Sequence, residues 1–151
     1  MKALEKMMTL SLAVFTAGLL ALPVKAEPLL TTVGFAKGAY SDGASNEVVV
    51  KITRIDQDPA TESEAFSVDC AVTGGSAVEN VDYRFGFNGS VTGLGTITFP
   101  PGVREQAFSV YTIKTQGPNK TLQIGCSNPT GPAAVVTGEN PVAQITIVNT
   151  P

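Results

Sequence analysis

The sequence contains no histidine and no tryptophan, and it has only two cysteines. Without histidine the common catalytic triads and His-ligated metal sites are excluded. Aromatic residues make up 7% and charged residues 15%, so neither an aromatic-rich nor a highly charged surface is available. Only one long apolar run exists, from Met7 to Leu22, and Thr9, Ser11 and Thr16 interrupt it. Its 16 residues fall short of the about 20 that a membrane span needs.

That run has the make-up of an export signal. Lys2 and Lys6 precede it, and Val24-Lys25-Ala26 follows it with small or medium residues where a signal peptidase reads. Residues 1–26 are therefore expected to be a signal peptide, with cleavage before Glu27 and no membrane span after it. Residues 27–151 are then a single domain. All three methionines leave with the signal. Seven basic and twelve acidic residues remain, a net charge of −5. Such a surface repels phosphate backbones, so nucleic acid is not an expected partner. The expected location is periplasmic or extracellular.

Period-two alternation runs through the remaining chain. Val48, Val50 and Ile52 alternate with Val49, Lys51 and Thr53. The same pattern holds for Tyr83, Phe85 and Phe87, for Ile97 and Phe99, for Phe108 and Val110, and for Ala143, Ile145 and Ile147. Alternation of this kind marks half-buried antiparallel strands. Turn chemistry separates the runs: Ser41-Asp42-Gly43, Asp56-Gln57-Asp58-Pro59, Gly74-Gly75, Pro101-Gly102, Gln116-Gly117-Pro118-Asn119 and Asn128-Pro129-Thr130-Gly131-Pro132. No capped window carries a helical period. The expectation is an all-β, immunoglobulin-like antiparallel β-sandwich of seven or eight strands. Tyr83, Phe85 and Phe87 are expected in its core. The terminal strand, Val142 to Val148, is a candidate edge, and pairing of that edge would make the chain an assembly subunit.

The two cysteines fit this scheme. Cys70 shares a face with Phe66 and Val68, and Cys126 shares one with Leu122 and Ile124. Both point inward, and an exported chain meets an oxidising compartment, so a Cys70–Cys126 disulfide is expected. In the chain-entropy description it contributes roughly 4 kcal/mol.

Several segments resemble the Calx-β domain family in order and spacing. Gly75 to Tyr83 (GSAVENVDY) is similar to its "GTA…DY" signature. Gly95 to Gly102 (GTITFPPG) resembles its "GTLTF…PGE" strand and turn. Phe108 to Ile113, Leu122 to Gly131 and Ala143 to Val148 resemble the strands that follow. The likeness covers about residues 31 to 150 and implies a β-sandwich. Members in sodium–calcium exchangers bind Ca²⁺ through carboxylates at one end of the sandwich. Calcium takes six to eight oxygen ligands. Here Asp82 keeps the family's aspartate. The other acidic positions carry Ala44, Lys114 and Thr115, Pro118 to Lys120, and Asn149 to Pro151, with Asp42 off register. The resemblance therefore implies a degenerate site in which Asp82 is a weak metal candidate, and calcium as a cofactor is disfavoured.

No catalytic residues are expected. Inward cysteines are not thiol nucleophiles. The carboxylate pairs Asp56 with Asp58 and Glu62 with Glu64 lie in one polar loop, where a solvated role is the expectation. The glycine-rich stretch Gly86 to Gly95 contains Asn88, Gly89, Ser90 and Thr92, which form the candidate interaction loop. Asn88 and Asn119 match the N-glycosylation pattern. The functional expectation is an exported, non-catalytic module for interaction or structural support, with an unidentified protein or glycan partner and at most weak self-association. The alternatives are a weak calcium-binding module, a carbohydrate- or peptide-binding module, and an adhesin- or pilus-like subunit.

Overall fold

The computed structural model describes residues 30–86, 94–131 and 135–150. The expected signal peptide and the candidate loop residues Asn88, Gly89, Ser90 and Thr92 lie outside them, as does Phe87. Among the described residues, ten strands form two five-stranded sheets. They are β1 (Thr31–Phe35), β2 (Ala39–Ser41), β3 (Glu47–Asp56), β4 (Phe66–Gly75), β5 (Tyr83–Gly86), β6 (Thr96–Phe99), β7 (Glu105–Thr112), β8 (Lys120–Thr130), β9 (Val135–Thr137) and β10 (Val142–Ile147). The first sheet runs β5-β7-β3-β1-β9, and the second runs β2-β10-β8-β4-β6. The eight longer strands match the expected number, and the three-residue β2 and β9 add to them.

Alternation builds the core as the sequence leads one to expect. Val48, Val50 and Ile52 of β3 face Leu122, Ile124, Ile145 and Ile147 of the other sheet within one buried cluster. Each such side chain contributes about 1.5–3 kcal/mol by leaving water. Phe66 and Phe99 stack with centroids 4.6 Å apart, on adjacent strands of one sheet. Tyr83 and Phe85 are buried.

Two pairings depart from a purely antiparallel scheme. The chain leaves β1 at Phe35 and crosses to the second sheet as β2. There it pairs parallel with β10, through Gln144 to Thr146. Val135 to Thr137 pairs parallel with β1. Because β2 covers it, β10 lies inside its sheet and is not the edge expected of the terminal strand.

The expected disulfide is present, within one sheet. Cys70 and Cys126 are direct cross-strand partners of β4 and β8, with Cα atoms 4.1 Å apart. Their N–H groups donate elsewhere, to Gly95 O and Pro141 O, which makes this a non-hydrogen-bonded pair, the closer type. Inward orientation is readable from period two, but the partner's sheet is not.

β8 continues through Asn128-Pro129 to Thr130, where the sequence suggests a connection. The register slips between the Ser67–Thr130 and Asp69–Ser127 pairs. Asn128 adopts φ 49°, a conformation asparagine tolerates, and Pro129 brings no N–H to satisfy. The result is a bulge inside a strand. Pro101-Gly102 forms the expected type II turn: Gly102 has φ 75° and Val103 N donates to Pro100 O.

Candidate functional site

One end of the sandwich is closed by a polar knot. β2 delivers Asp42 into the turn after Ser41, where Ser45 N donates to Asp42 O. β7 ends at Thr112 and delivers Lys114. β10 ends at Ile147 and delivers Val148 and Asn149. Three strand ends from both sheets thus converge.

The Asp42 carboxylate is fully buried. Its Oδ1 accepts a hydrogen bond from Val148 N at 2.8 Å. Its Oδ2 lies 2.9 Å from Lys114 Nζ. The same ammonium donates to Gly43 O at 2.7 Å and to Val148 O at 2.9 Å. Lys114 thus holds three oxygens around one cationic centre, as a bound ion would. Burial pushes the Asp42 carboxyl up. The Val148 N–H, the Lys114 ammonium and the Thr112 hydroxyl outweigh burial and hold it below its ordinary value.

Asn149 finishes the closure. Its Nδ2 donates to Pro118 O at 2.9 Å, its Oδ1 accepts from Thr115 N at 3.2 Å, and its N donates to Asn119 Oδ1 at 3.0 Å. Asn119 is therefore tied to the fold through its amide oxygen.

Asp82, the weak metal candidate, is buried next to this knot. Its Oδ2 accepts from Val78 N at 2.7 Å, and its backbone carbonyl accepts from Ile113 N at 2.8 Å. It closes the 78–82 turn and anchors the end of β7. These residues do not fit a calcium ion. Calcium takes six to eight oxygens, several of them charged. Here one carboxylate and two carbonyls already surround an ammonium, and the second carboxylate is bound to a backbone N–H. Among the described residues no group of three or more His, Cys, Asp or Glu side chains is placed to hold a metal.

Of the four loop carboxylates, Asp56, Asp58 and Glu62 have partners, and Glu64 is exposed. Arg54 Nε donates to Asp56 Oδ1 at 2.8 Å, and Thr31 Oγ1 donates to the same oxygen at 2.7 Å. Asp58 Oδ1 accepts from Ala60 N at 2.9 Å. Glu62 pairs with Arg104 at 2.7 Å. Asp56 is not the solvated loop residue the sequence suggests. Arg54 occupies an inward position of β3 and draws Asp56 into the core with it.

Sequence reasoning passes over Asp42 as a ligand because it stands off the family register, in a Ser-Asp-Gly turn of the kind that is usually exposed. The signal that points to it is Lys114, a cation where the resembled family carries an acidic residue.

The sequence matches no protein-family model and no curated protein. Solved structures do match. The apo form of the Calx CBD1 domain aligns with 22% identity and a TM-score of 0.60, over 83% of this chain and 100% of that one. CBD12 from CALX1.2 aligns with 25% identity and a TM-score of 0.62. The calcium-binding domain CBD12 of CALX1.1 aligns with 23% identity and a TM-score of 0.58. This chain covers 44% of the length of each of those two longer chains. Together with the sheet order, these alignments establish that the chain has a Calx-β-like fold.

Proposed function

We propose that the protein is an exported, non-catalytic Calx-β-like module that serves interaction or structural support at the cell envelope or outside the cell, and that it works without calcium. The observation that carries this reading is the position of Lys114 Nζ, within 2.9 Å of Asp42 Oδ2, Gly43 O and Val148 O. A covalently attached cation supplies the charge that the loop end needs, so the end stays closed at any calcium concentration. The cross-strand disulfide supports an oxidising compartment. The absence of histidine from the sequence and the structural engagement of Asp42, Asp56, Asp58 and Glu62 support a non-catalytic role.

Two measurements test the proposal together. Mass spectrometry of the exported protein should give a chain that begins at Glu27 and carries the Cys70–Cys126 bridge. Thermal melts in millimolar calcium and in chelator should coincide. A clear rise in Tm with calcium would hand the site to the alternative reading, a weak calcium-binding module. A chain retained in the cytoplasm would remove the export half of the proposal.

A further inference from the structure

The outer face of the first sheet carries a constellation that the closed loop end does not explain. Tyr111 on β7 pairs directly with Arg84 on β5 and with Glu47 on β3. The three side chains therefore stand in one row across three strands, with neighbouring strands about 4.8 Å apart. The tyrosine ring leans over the next row, onto Gly86. A Cβ at Gly86 would lie 2.5 Å from Tyr111 Cε2, so only glycine lets the ring come this close to the strand. Ser109, the partner of Gly86, donates its hydroxyl to Glu47 Oε1 and fixes that carboxylate beside the ring. Tyr111 remains 40% exposed and Val49, beside Ser109, 50% exposed.

We infer that this row is a saccharide subsite in which the exposed face of Tyr111 stacks against the C–H face of a neutral sugar ring. An aromatic ring offers an apolar, electron-rich face that suits polarised C–H bonds. Arg84 stands on one side as a donor, and Glu47 and Ser109 stand on the other as acceptor and hydroxyl. A sugar ring on Tyr111 places its equatorial hydroxyls within reach of both sides. The row stands on the outer face of a sheet, so it suits one unit of a longer saccharide. Nucleobases also stack on aromatic rings, but a phosphate-bearing ligand would meet the Glu47 carboxylate and the net charge of −5 on residues 27–151. The inference rests on the interaction-module reading above and names the class of partner for it.

The test is a microarray of neutral cello-, xylo-, manno- and chito-oligosaccharides probed with the mature chain, followed by titration of the best ligand. At least one class of oligomer should bind, and its affinity should not change with salt. Tyr111→Ala should weaken it by about tenfold, the scale of one lost stacking contact. Tyr111→Phe, which keeps the ring, should bind like the wild type. Gly86→Ala, which lifts the ring off the sheet, should weaken binding as well. If Tyr111→Ala fails to fold, the exposed Arg84→Ala and Glu47→Gln variants carry the test, and each should weaken binding. A ring whose only role is to cover Gly86 would lower the Tm of Tyr111→Ala and leave the array blank for every variant. A blank array with a folded wild-type chain overturns the subsite, as does equal binding by wild type and Tyr111→Ala. Either result leaves the non-catalytic module reading intact. Hydrolysis of a bound oligosaccharide would instead overturn that reading while keeping the subsite.

Discussion

The two ends of this sandwich each bury an ion pair, and they do so by opposite means. β3 runs between them. Asn46, just before it, adjoins the Asp42–Lys114 knot, where its carbonyl accepts from Thr112 N. The last residues of β3, Arg54 and Asp56, form the other pair. There both side chains are essentially inaccessible, at 2% and 1%. The Arg54 guanidinium donates from Nε to Asp56, donates from Nη1 to Glu64 O at 2.7 Å, and lies 5.0 Å from the Phe66 ring centroid. A planar fork satisfies several partners at once and stacks on an aromatic face, so it can be sealed dry. At the knot Asp42 is inaccessible, but Lys114 keeps 22% of its side-chain surface. An ammonium is a compact, strongly hydrated charge, and here it is ringed by oxygens while its stem still reaches solvent. One end is thus built as core, and the other as a buried carboxylate closed by a partly exposed ammonium.

The dry end should be the more sensitive of the two. Arg54→Ala leaves Asp56 in the core without its guanidinium, and breaking a buried pair in this way costs about 3–5 kcal/mol. Urea denaturation should show the midpoint falling further than it does on loss of the disulfide or of Lys114. A loss no larger than that of Lys114→Ala would break the contrast between the ends.

Between the ends, the Cys70–Cys126 bridge lies on the stretch of β4–β8 pairing that is bounded by register shifts on either side. Replacing both cysteines with alanine should cost about 2–4 kcal/mol. The change should lower the denaturation midpoint without altering the strand signal in far-UV circular dichroism. Because the bridge belongs to neither knot, its loss should add to that of Arg54→Ala and to that of Lys114→Ala. Non-additivity with one of them would tie that end to the bridge.

Lys114→Ala should cost less than either, about 1–3 kcal/mol, the penalty for buried acceptors left without a partner. The ammonium is partly exposed, so water can follow it into the space it leaves. The variant also tests the proposed role of Lys114: calcium should raise the Tm of Lys114→Ala while leaving the wild type unmoved. Equal responses in the two proteins would mean that Lys114 does not take the place of an ion.

The strands are legible in the sequence because one face of each is buried, and period two records that directly. The three-residue β2 and β9 are not, since three residues carry less than two full alternations. Their pairing depends on where β10 and β1 lie in space. The Asn128 bulge reads as a turn because asparagine and proline serve turns and bulges for the same backbone reasons. Arg54 is readable in principle: it continues the inward set of Val48, Val50 and Ile52. Polar identity argues against burial, and only the guanidinium's several partners reverse that judgement. At the loop end, the family resemblance locates Lys114 and Asp82 but passes over Asp42. Its burial arises from strand ends far apart in sequence, at Thr112 and Val148. The Tyr111 row is likewise invisible, because it joins residues 47, 84 and 111 through cross-strand register alone.

The smallest expected effect is in acid, and it separates the ends by titration. The folded Asp42 carboxyl lies below its ordinary value of 3.8, despite the burial that opposes this, because Val148 N–H, Lys114 and Thr112 favour its charged form. A carboxyl lowered on folding contributes stability that is fully present above the unfolded value. That contribution is lost as pH falls through the folded one. The urea midpoint of the wild type should therefore decline as pH drops below about 4, with Asp42 supplying part of the slope. Asp42→Asn removes that titrating group. The variant should start from a lower midpoint at neutral pH, and its midpoint should fall less steeply than the wild type's below about pH 4. Parallel curves for the two proteins would mean that the knot is neutral to protonation. That end would then be held by backbone hydrogen bonds rather than by the charge on Asp42.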